Sequence, residues 1–287
     1  MMTTEPDGIS LGEFEERHAG GRIAAMQEAL DAVARQREAV VLEIPSVGNT
    51  VSFGVCGDTQ FGSLYEAAPQ FRAFMALCEA EGIETVLHTG DVLDGHAIYR
   101  GQEFELHKVG LDAQLRWFEE VAPTTGPRVE FITGNHDASF AARVGVDIGA
   151  AIAARNPLWH CIGRDTGRVK FATKDGRGYE IMLLHPGGGT AYALSYRPQK
   201  TVEQLEGGDK PQMICIGHYH KAEYIPSYRN VAVMQSGCFQ WQTPFMVRQS
   251  ISAHVGGWIV RVTPGHAEDL CNQVEARFVA FYQEARA

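Results

Sequence analysis

The chain has 287 residues, and its composition is that of a soluble globular protein with enough apolar residues for a sizeable core, in one large domain or two small ones. Lysine and arginine number 25 against 35 aspartates and glutamates. The net charge of −10 argues against non-specific coating of nucleic acid, which needs a basic face, but not against an enzyme that works on it. The polar start and the lack of any apolar run near ~20 residues speak against a signal peptide and a membrane span. The six cysteines are scattered without paired spacing, and Cys56 and Cys215 sit inside apolar runs, so a reducing, cytoplasmic compartment is expected.

In chain order, residues 1–20 are polar, with Gly, Pro and mixed charge, and a partly disordered start is expected. Over residues 22–41, Ile23, Met26, Leu30, Val33 and Val40 recur at helical spacing and predict an amphipathic helix. This gives an N-terminal extension over 1–48 and a main domain over 49–287. Residues 51–56 read as a strand and residues 71–81 as a helix with a stripe of Phe71, Phe74, Met75 and Cys78. A strand over 83–88, a long helix over 104–121 carrying Leu111, Leu115 and Phe118 on one face, and a strand over 129–133 follow. The β-α-β-α-β alternation predicts a parallel sheet with helices packed on it.

The second half changes character. Residues 169–172, 179–184, 213–216, 231–234 and 257–262 read as strands divided by turn signals such as Asp175-Gly176 and Arg229-Asn230. From residue 266 to the end, Leu270, Val274, Phe278 and Phe281 predict a C-terminal helix. One domain with two sheets is the simplest account.

Five short segments follow the apolar runs: Gly57-Asp58-Thr59-Gln60, Gly90-Asp91-Val92-Leu93-Asp94-Gly95, Gly134-Asn135-His136-Asp137, His185 in Leu184-His185-Pro186, and Gly217-His218-Tyr219-His220. Asn135 and His136 are expected on a tight loop at a strand end, where α/β folds put their chemistry. Asp58 and Gln60, and likewise His218 and His220, lie two residues apart, which on extended backbone projects each pair to one side. Asp58, Gln60, Asp91, Asn135, His185, His218 and His220 offer oxygen and imidazole donors and no thiolate. That set suits two divalent metal ions with open positions, Mn²⁺ first, Fe and Zn²⁺ also fitting, and is unlike a closed structural zinc site. One carboxylate, Asp91 the best placed, can bridge two cations. Two metals ~4 Å apart can activate a water and clamp an in-line displacement at phosphorus. His136 is the candidate acid for the leaving oxygen, with Asp94 or Asp137 to orient it.

These segments resemble the calcineurin-like metallophosphoesterases, whose pattern is Asp-x-His, Gly-Asp, Gly-Asn-His-Asp or Glu, a single His, and Gly-His-x-His. The resemblance implies a four-layer α-β-β-α sandwich of two mixed sheets. It also implies that Asp58, Gln60, Asp91 and His220 hold one metal, that Asp91, Asn135, His185 and His218 hold the other, and that His136 is the acid. Gln60 stands where the family usually has His, and a neutral amide oxygen there biases that position towards Mn²⁺ over Zn²⁺. Further stretches, Ile98-Tyr99-Arg100-Gly101-Gln102-Glu103, Tyr228-Arg229-Asn230-Val231, Ser236-Gly237-Cys238-Phe239-Gln240 and Gln242-Thr243-Pro244-Phe245, are similar to the small, exonuclease-bearing subunit of archaeal family D DNA polymerases. The segment before residue 50 is too short for the oligonucleotide-binding domain of those subunits, which leaves the catalytic domain as the expectation.

Three functions follow. The first is a metal-dependent phosphodiesterase on nucleic acid, most simply a 3′–5′ exonuclease, with Arg100, Tyr192 and Arg197 as substrate contacts and Tyr196 and Lys200 nearby. The second keeps the chemistry with a small nucleotide phosphodiester or diphosphate as substrate. The third is a non-catalytic scaffold subunit. No membrane partner is expected, and oligomeric state is left open.

Overall fold

The computed structural model describes residues 40–42, 46–47, 49–172, 178–206, 210–265 and 272–283. All lie in one compact unit, residues 39–287. The elements run β1 (Val40–Leu42), β2 (Ser46–Val47), β3 (Thr50–Cys56), α1 (Ala68–Ala80), β4 (Thr85–His88), α2 (Leu111–Val121), β5 (Arg128–Thr133), α3 (Asn135–Val144), α4 (Ile148–Ala153), β6 (Trp159–Arg164) and β7 (Thr166–Ala172). They continue with β8 (Gly178–Leu184), α5 (Tyr196–Gln204), β9 (Met213–Ile216), β10 (Ala222–Tyr228), β11 (Val231–Ser236), α6 (Pro244–Arg248), β12 (Gly256–Thr263) and β13 (Gln273–Ala280).

Two mixed sheets form. One has the order β1-β7-β8-β9-β11-β10, with β8, β9 and β11 parallel. The other has the order β13-β12-β3-β4-β5-β6, with β3 to β6 parallel, β12 antiparallel to β3, and β2 paired outside this path to β3. Alternation along the strands explains the layering, because successive side chains point to opposite faces. Phe53 and Val55 of β3 face Val169, Phe171, Ile181 and Leu183 between the sheets, and the rings of Phe53 and Phe171 lie 5.1 Å apart. On the far side of the same sheet, Cys56, Val86, Val129 and Phe131 pack against Phe71, Phe74 and Cys78 of α1 and Leu115 and Phe118 of α2. In β9, Met213 and Cys215 point between the sheets, whereas Ile214 and Ile216 point outward to Val202 of α5. The result is the expected four-layer α-β-β-α sandwich.

Several expected elements differ. The helix over 22–41 lies outside the described residues except for its end. Val40 and Val41 belong to β1, which pairs with β7 and so joins part of the expected extension to the main sheet. The helix over 104–121 starts only at Leu111: Gly110 has φ +86°, residues 102–104 form a short 3₁₀ turn, and Leu106 bridges to Ser63. The C-terminal helix is replaced, over its described part, by β13. Val274 and Phe278 fit both periods, but Val274, Ala276 and Phe278 alternate with exposed residues, and β13 pairs with β12 along its whole length. The aromatic and β-branched residues there favour a strand. β6, α4, α5 and β10 had no counterpart in the sequence reading. No helix among the described residues is long and apolar enough to cross a membrane.

Candidate metal centre

The parallel strands of both sheets end at one edge, and the motif residues stand in the segments that leave them. Asp58 and Gln60 follow β3, Asp91 and Asp94 follow β4, and Asn135 and His136 follow β5. His185 follows β8, and His218 and His220 follow β9. Backbone hydrogen bonds lock these loops together: Asp58 N–H donates to Gly90 O at 2.9 Å, Gln60 N–H to Asp91 O at 3.1 Å, and Gly217 N–H to Leu184 O at 3.0 Å. Asn135 and His136 do not sit on a loop as expected. They open the first turn of α3.

Nor is the backbone extended at the paired motifs. Asp58 (φ +50°), Gln60 (+49°), Asp91 (+54°), His218 (+74°) and His220 (+54°) are all left-handed. Non-glycine residues at positive φ cost energy and persist where the surrounding structure holds them, which is common at functional sites. Close approach also explains Gly134: a Cβ there would lie 2.2 Å from Asp91 Oδ1.

The side chains converge. Asp91 Oδ2 lies 3.1 Å from His185 Nε2 and accepts from Gln60 Nε2 at 3.1 Å. His185 Nε2 is also 3.1 Å from Asn135 Oδ1, and its Nδ1 lies 2.8 Å from Thr89 O. A carbonyl only accepts, so Nδ1 carries a proton, and Nε2 is the ring atom turned towards Asp91 and Asn135. The same logic at His218, whose Nε2 is 2.7 Å from Gly188 O, leaves its Nδ1 free. One ligand atom each from Asp91, His185 and His218 falls within 4.8 Å of the others. Asp58 accepts the His218 N–H on both oxygens, at 3.1 and 3.0 Å, and its Oδ1 is 3.4 Å from His220 Nε2.

The electrostatics are those of crowded donors. Burial opposes protonation of His185, but the Asp91 carboxylate lifts its pKa to about 9. Burial likewise opposes ionisation of Asp91, yet His185 and His136 hold it well below the usual carboxylate range. Burial and the charge of His185 lower His218. Burial opposes protonation of His220 too, and Cys238 and Asp58 overcome it to raise its pKa. The buried atoms Gln60 Oε1 and His220 Nδ1 have no hydrogen-bond partner. Buried polar atoms are almost always paired. An orphaned amide oxygen beside clustered carboxylate and imidazole acceptors therefore fits divalent cations, and oxygen and nitrogen donors suit Mn²⁺, Fe or Zn²⁺.

His136 is held over this cluster. Its backbone N–H donates to Asp91 Oδ1 at 2.8 Å, its Nδ1 donates to Asp94 O at 2.7 Å, and its Nε2 stands 4.0 Å from Asp91 Oδ2. The Asp94 carboxylate lies 3.9 Å from the ring and is itself held by Gln102 and Gln240 side-chain amides; burial pushes its pKa up to about 6. Asp137 faces elsewhere. Its carboxylate accepts the backbone N–H groups of Leu93 at 2.8 Å, Gly134 at 3.0 Å and Val92 at 3.1 Å, tying the start of α3 to the loop after β4. Burial and the Asp91 charge push its pKa to about 7 against those three donors. Asp137→Asn leaves at least one of the three facing an amide NH₂, so stability is expected to fall by about 2–4 kcal/mol in urea unfolding. A drop in turnover at unchanged stability would instead assign Asp137 to His136.

His88 is fully buried between Thr59 and Gly90, and burial lowers its pKa to about 4. A cleft of about 280 Å³ opens on the cluster, lined on one side by Asp91, Asn135, His136 and His218. Of the expected substrate contacts, Arg100 and Tyr192 are exposed and do not line it. Arg197 comes nearer, its guanidinium against Gly188, which does line the cleft. Tyr196 is exposed, and Lys200 pairs with Glu203 at 2.7 Å. Tyr99 and Phe245 also line the cleft and were not among the residues expected there. Both lie in stretches quoted for their resemblance, but nothing in the sequence says they meet.

A calcineurin-like phosphoesterase family profile matches residues 51–222. The DNA polymerase II small subunits of two Halobacterium salinarum strains are 27% identical over 244 residues, covering 72% of this chain and 47% of theirs. The chain thus spans about half the length of the curated relatives it matches. Among solved structures, Vps29 complexed with zinc from Entamoeba histolytica aligns with a TM-score of 0.39 at 15% identity, over 81% of this chain and 100% of that one. GAP50 of Plasmodium aligns with a TM-score of 0.47 at 10% identity, over 81% and 85%. With three-fifths of its length matched by one family profile, and that family's motif loops gathered at one sheet edge, the chain belongs to the calcineurin-like phosphoesterases.

Proposed function

We propose that this protein is a two-metal phosphodiesterase acting on nucleic acid, as a 3′–5′ exonuclease. The observation that carries the chemistry is the cluster of Asp91, His185 and His218, whose ligand atoms lie within 4.8 Å of one another, with the Gln60 side chain bonded to Asp91 and its Oε1 buried without a partner. Asp58, Gln60, Asp91 and His220 would hold one cation, and Asp91, Asn135, His185 and His218 the other. When bound, the pair supplies the Lewis acidity for displacement at phosphorus. The residues of the chain do the rest. His136 offers Nε2 to the leaving oxygen, Asp94 steadies the ring through Nδ1, and Thr89 fixes the tautomer of His185. Arg197, whose Nε is buried without a partner, is placed to meet a phosphate over the Gly188 loop. The likeness to polymerase small subunits supports nucleic acid as the substrate and a polymerase subunit as a partner. Free thiols at Cys56, Cys78, Cys161, Cys215 and Cys238 support a reducing, cytoplasmic setting.

The test is Mn²⁺-dependent digestion of an end-labelled single-stranded oligonucleotide. A ladder shortening from the 3′ end is expected. An intact oligonucleotide alongside hydrolysis of ADP-ribose or a cyclic nucleotide would move the substrate to small nucleotides. Metal bound with no substrate cleaved would leave a scaffold.

Manganese follows from Gln60. Its amide oxygen is a harder donor than the imidazole usual in the family, so Gln60→His is expected to raise Zn²⁺ affinity about tenfold or more relative to Mn²⁺, read by competition calorimetry. An unchanged Zn²⁺ to Mn²⁺ ratio would show that Gln60 is no ligand.

A further inference from the structure

Besides the metal-ligand candidates, the cleft is lined by aromatic and apolar side chains. Tyr99 and Phe245 stack with ring centroids 4.2 Å apart and planes 18° from parallel, and Ile98, Met246 and Ile251 extend the surface. The pair is held by one buried carboxylate. Glu105, 5% exposed, accepts the Tyr99 hydroxyl at 2.7 Å on one oxygen and the Phe245 N–H at 3.2 Å on the other. Thr243 caps the short helix α6 that carries Phe245, accepting from Met246 N–H at 3.2 Å. Glu105 thus links a segment after β4 to one after β11, a device that fixes ring positions before any ligand arrives.

A hydrolase that read only phosphate would need cations around its cleft, not an aromatic wall. The cleft, at about 280 Å³, lies at the lower edge of small-ligand sites, about 300–1,000 Å³. Aromatic side chains bind bases through their π-faces with little sequence preference. We infer that the Tyr99–Phe245 wall, clamped by Glu105, is a stacking site for one unpaired nucleobase beside the scissile phosphate. This deepens the nuclease reading and rests on it for the reaction. It selects a frayed or single-stranded end over duplex, since a base must leave its stack to enter.

The test separates the two. Calorimetry compares thymidine 5′-monophosphate with 2-deoxyribose 5-phosphate, which lacks the base, on the full chain. Hydrolysis compares thymidine 5′-(p-nitrophenyl phosphate) with methyl p-nitrophenyl phosphate. The wild type is expected to prefer the base-bearing partner in both, by about 5- to 150-fold, the range of stacking one base. Phe245→Ala is expected to collapse the ratio, and Phe245→Tyr to keep it. Equal affinity for the two phosphates, no binding of thymidine 5′-monophosphate at millimolar concentration, or a ratio that Phe245→Ala leaves intact overturns the inference. A binding preference without turnover of either ester supports the stacking site and overturns the hydrolase reading instead.

Discussion

Replacing Asp91 by asparagine is expected to lower kcat/KM by at least ~10³ and to remove most of the bound metal, with the fold intact. Asp91 is 1% exposed and central to the cluster, its Oδ2 3.1 Å from both His185 Nε2 and Gln60 Nε2 and its Oδ1 accepting the His136 N–H. Both proposed metal positions share it. Asparagine matches its shape and can still accept the His136 N–H, so packing survives. The negative charge does not, which leaves Asp58 as the one carboxylate at the first proposed position and none at the second, and a buried site so short of charge holds divalent cations poorly. Losing several kcal/mol of charge stabilisation at phosphorus corresponds to a thousandfold or more, at about 1.4 kcal/mol per factor of ten. Metal content by plasma mass spectrometry and circular dichroism on the same sample separate loss of metal from loss of fold. Activity within tenfold of wild type would sink the two-metal mechanism.

His136→Ala is expected to cost about 10²–10⁴ in kcat on an oligonucleotide, the usual contribution of a positioned general acid, while metal content stays at the wild-type level. The His136 bond to Asp91 is made by the backbone N–H, which alanine retains. The imidazole alone is lost, and with it Nε2 over the cluster and the Nδ1 bond to Asp94 O. The diagnostic is the leaving group. A deoxyribose oxygen needs a proton as it departs, whereas p-nitrophenolate leaves as the anion. On a p-nitrophenyl ester the loss should therefore shrink to about tenfold or less. Equal losses on both substrates would show that His136 binds substrate or holds the site together rather than supplying a proton.

The donors of the site were legible in the sequence because each is a local pattern. Gly-Asp, Gly-Asn-His-Asp and Gly-His-x-His each follow an apolar run of strand length, and the donor types alone point to a hard or borderline cation. The strands of the second half, such as 179–184 and 213–216, were legible for the same reason. Alternation along 179–184 and a continuous apolar run at 213–216 are written along the chain and need no partner to read.

What needed the tertiary structure is what depends on distant segments. The stripe Val274, Phe278 and Phe281 fits a helix and a strand equally, and only the full-length pairing with β12 makes it a strand. The helix reading of residues 104–110 failed because Gly110 takes a positive φ and Leu106 bridges to the distant Ser63. Asp94 and Asp137 are alike on paper. One faces the His136 ring, and the other binds three backbone amides that the chain brings together only when β4 and β5 lie side by side. The left-handed backbone at Asp58, Gln60, His218 and His220 is likewise imposed by the packing of the loops against one another. By itself the sequence determined which oxygen and imidazole side chains follow the strands, most of the strands and the family resemblance, because side-chain chemistry and alternation are properties of neighbouring residues. Which carboxylate lies beside the His136 ring, which aromatic rings stack in the cleft wall and that residues 273–280 form a strand were decided by contacts between distant segments, because those energies exist only between residues far apart in the chain.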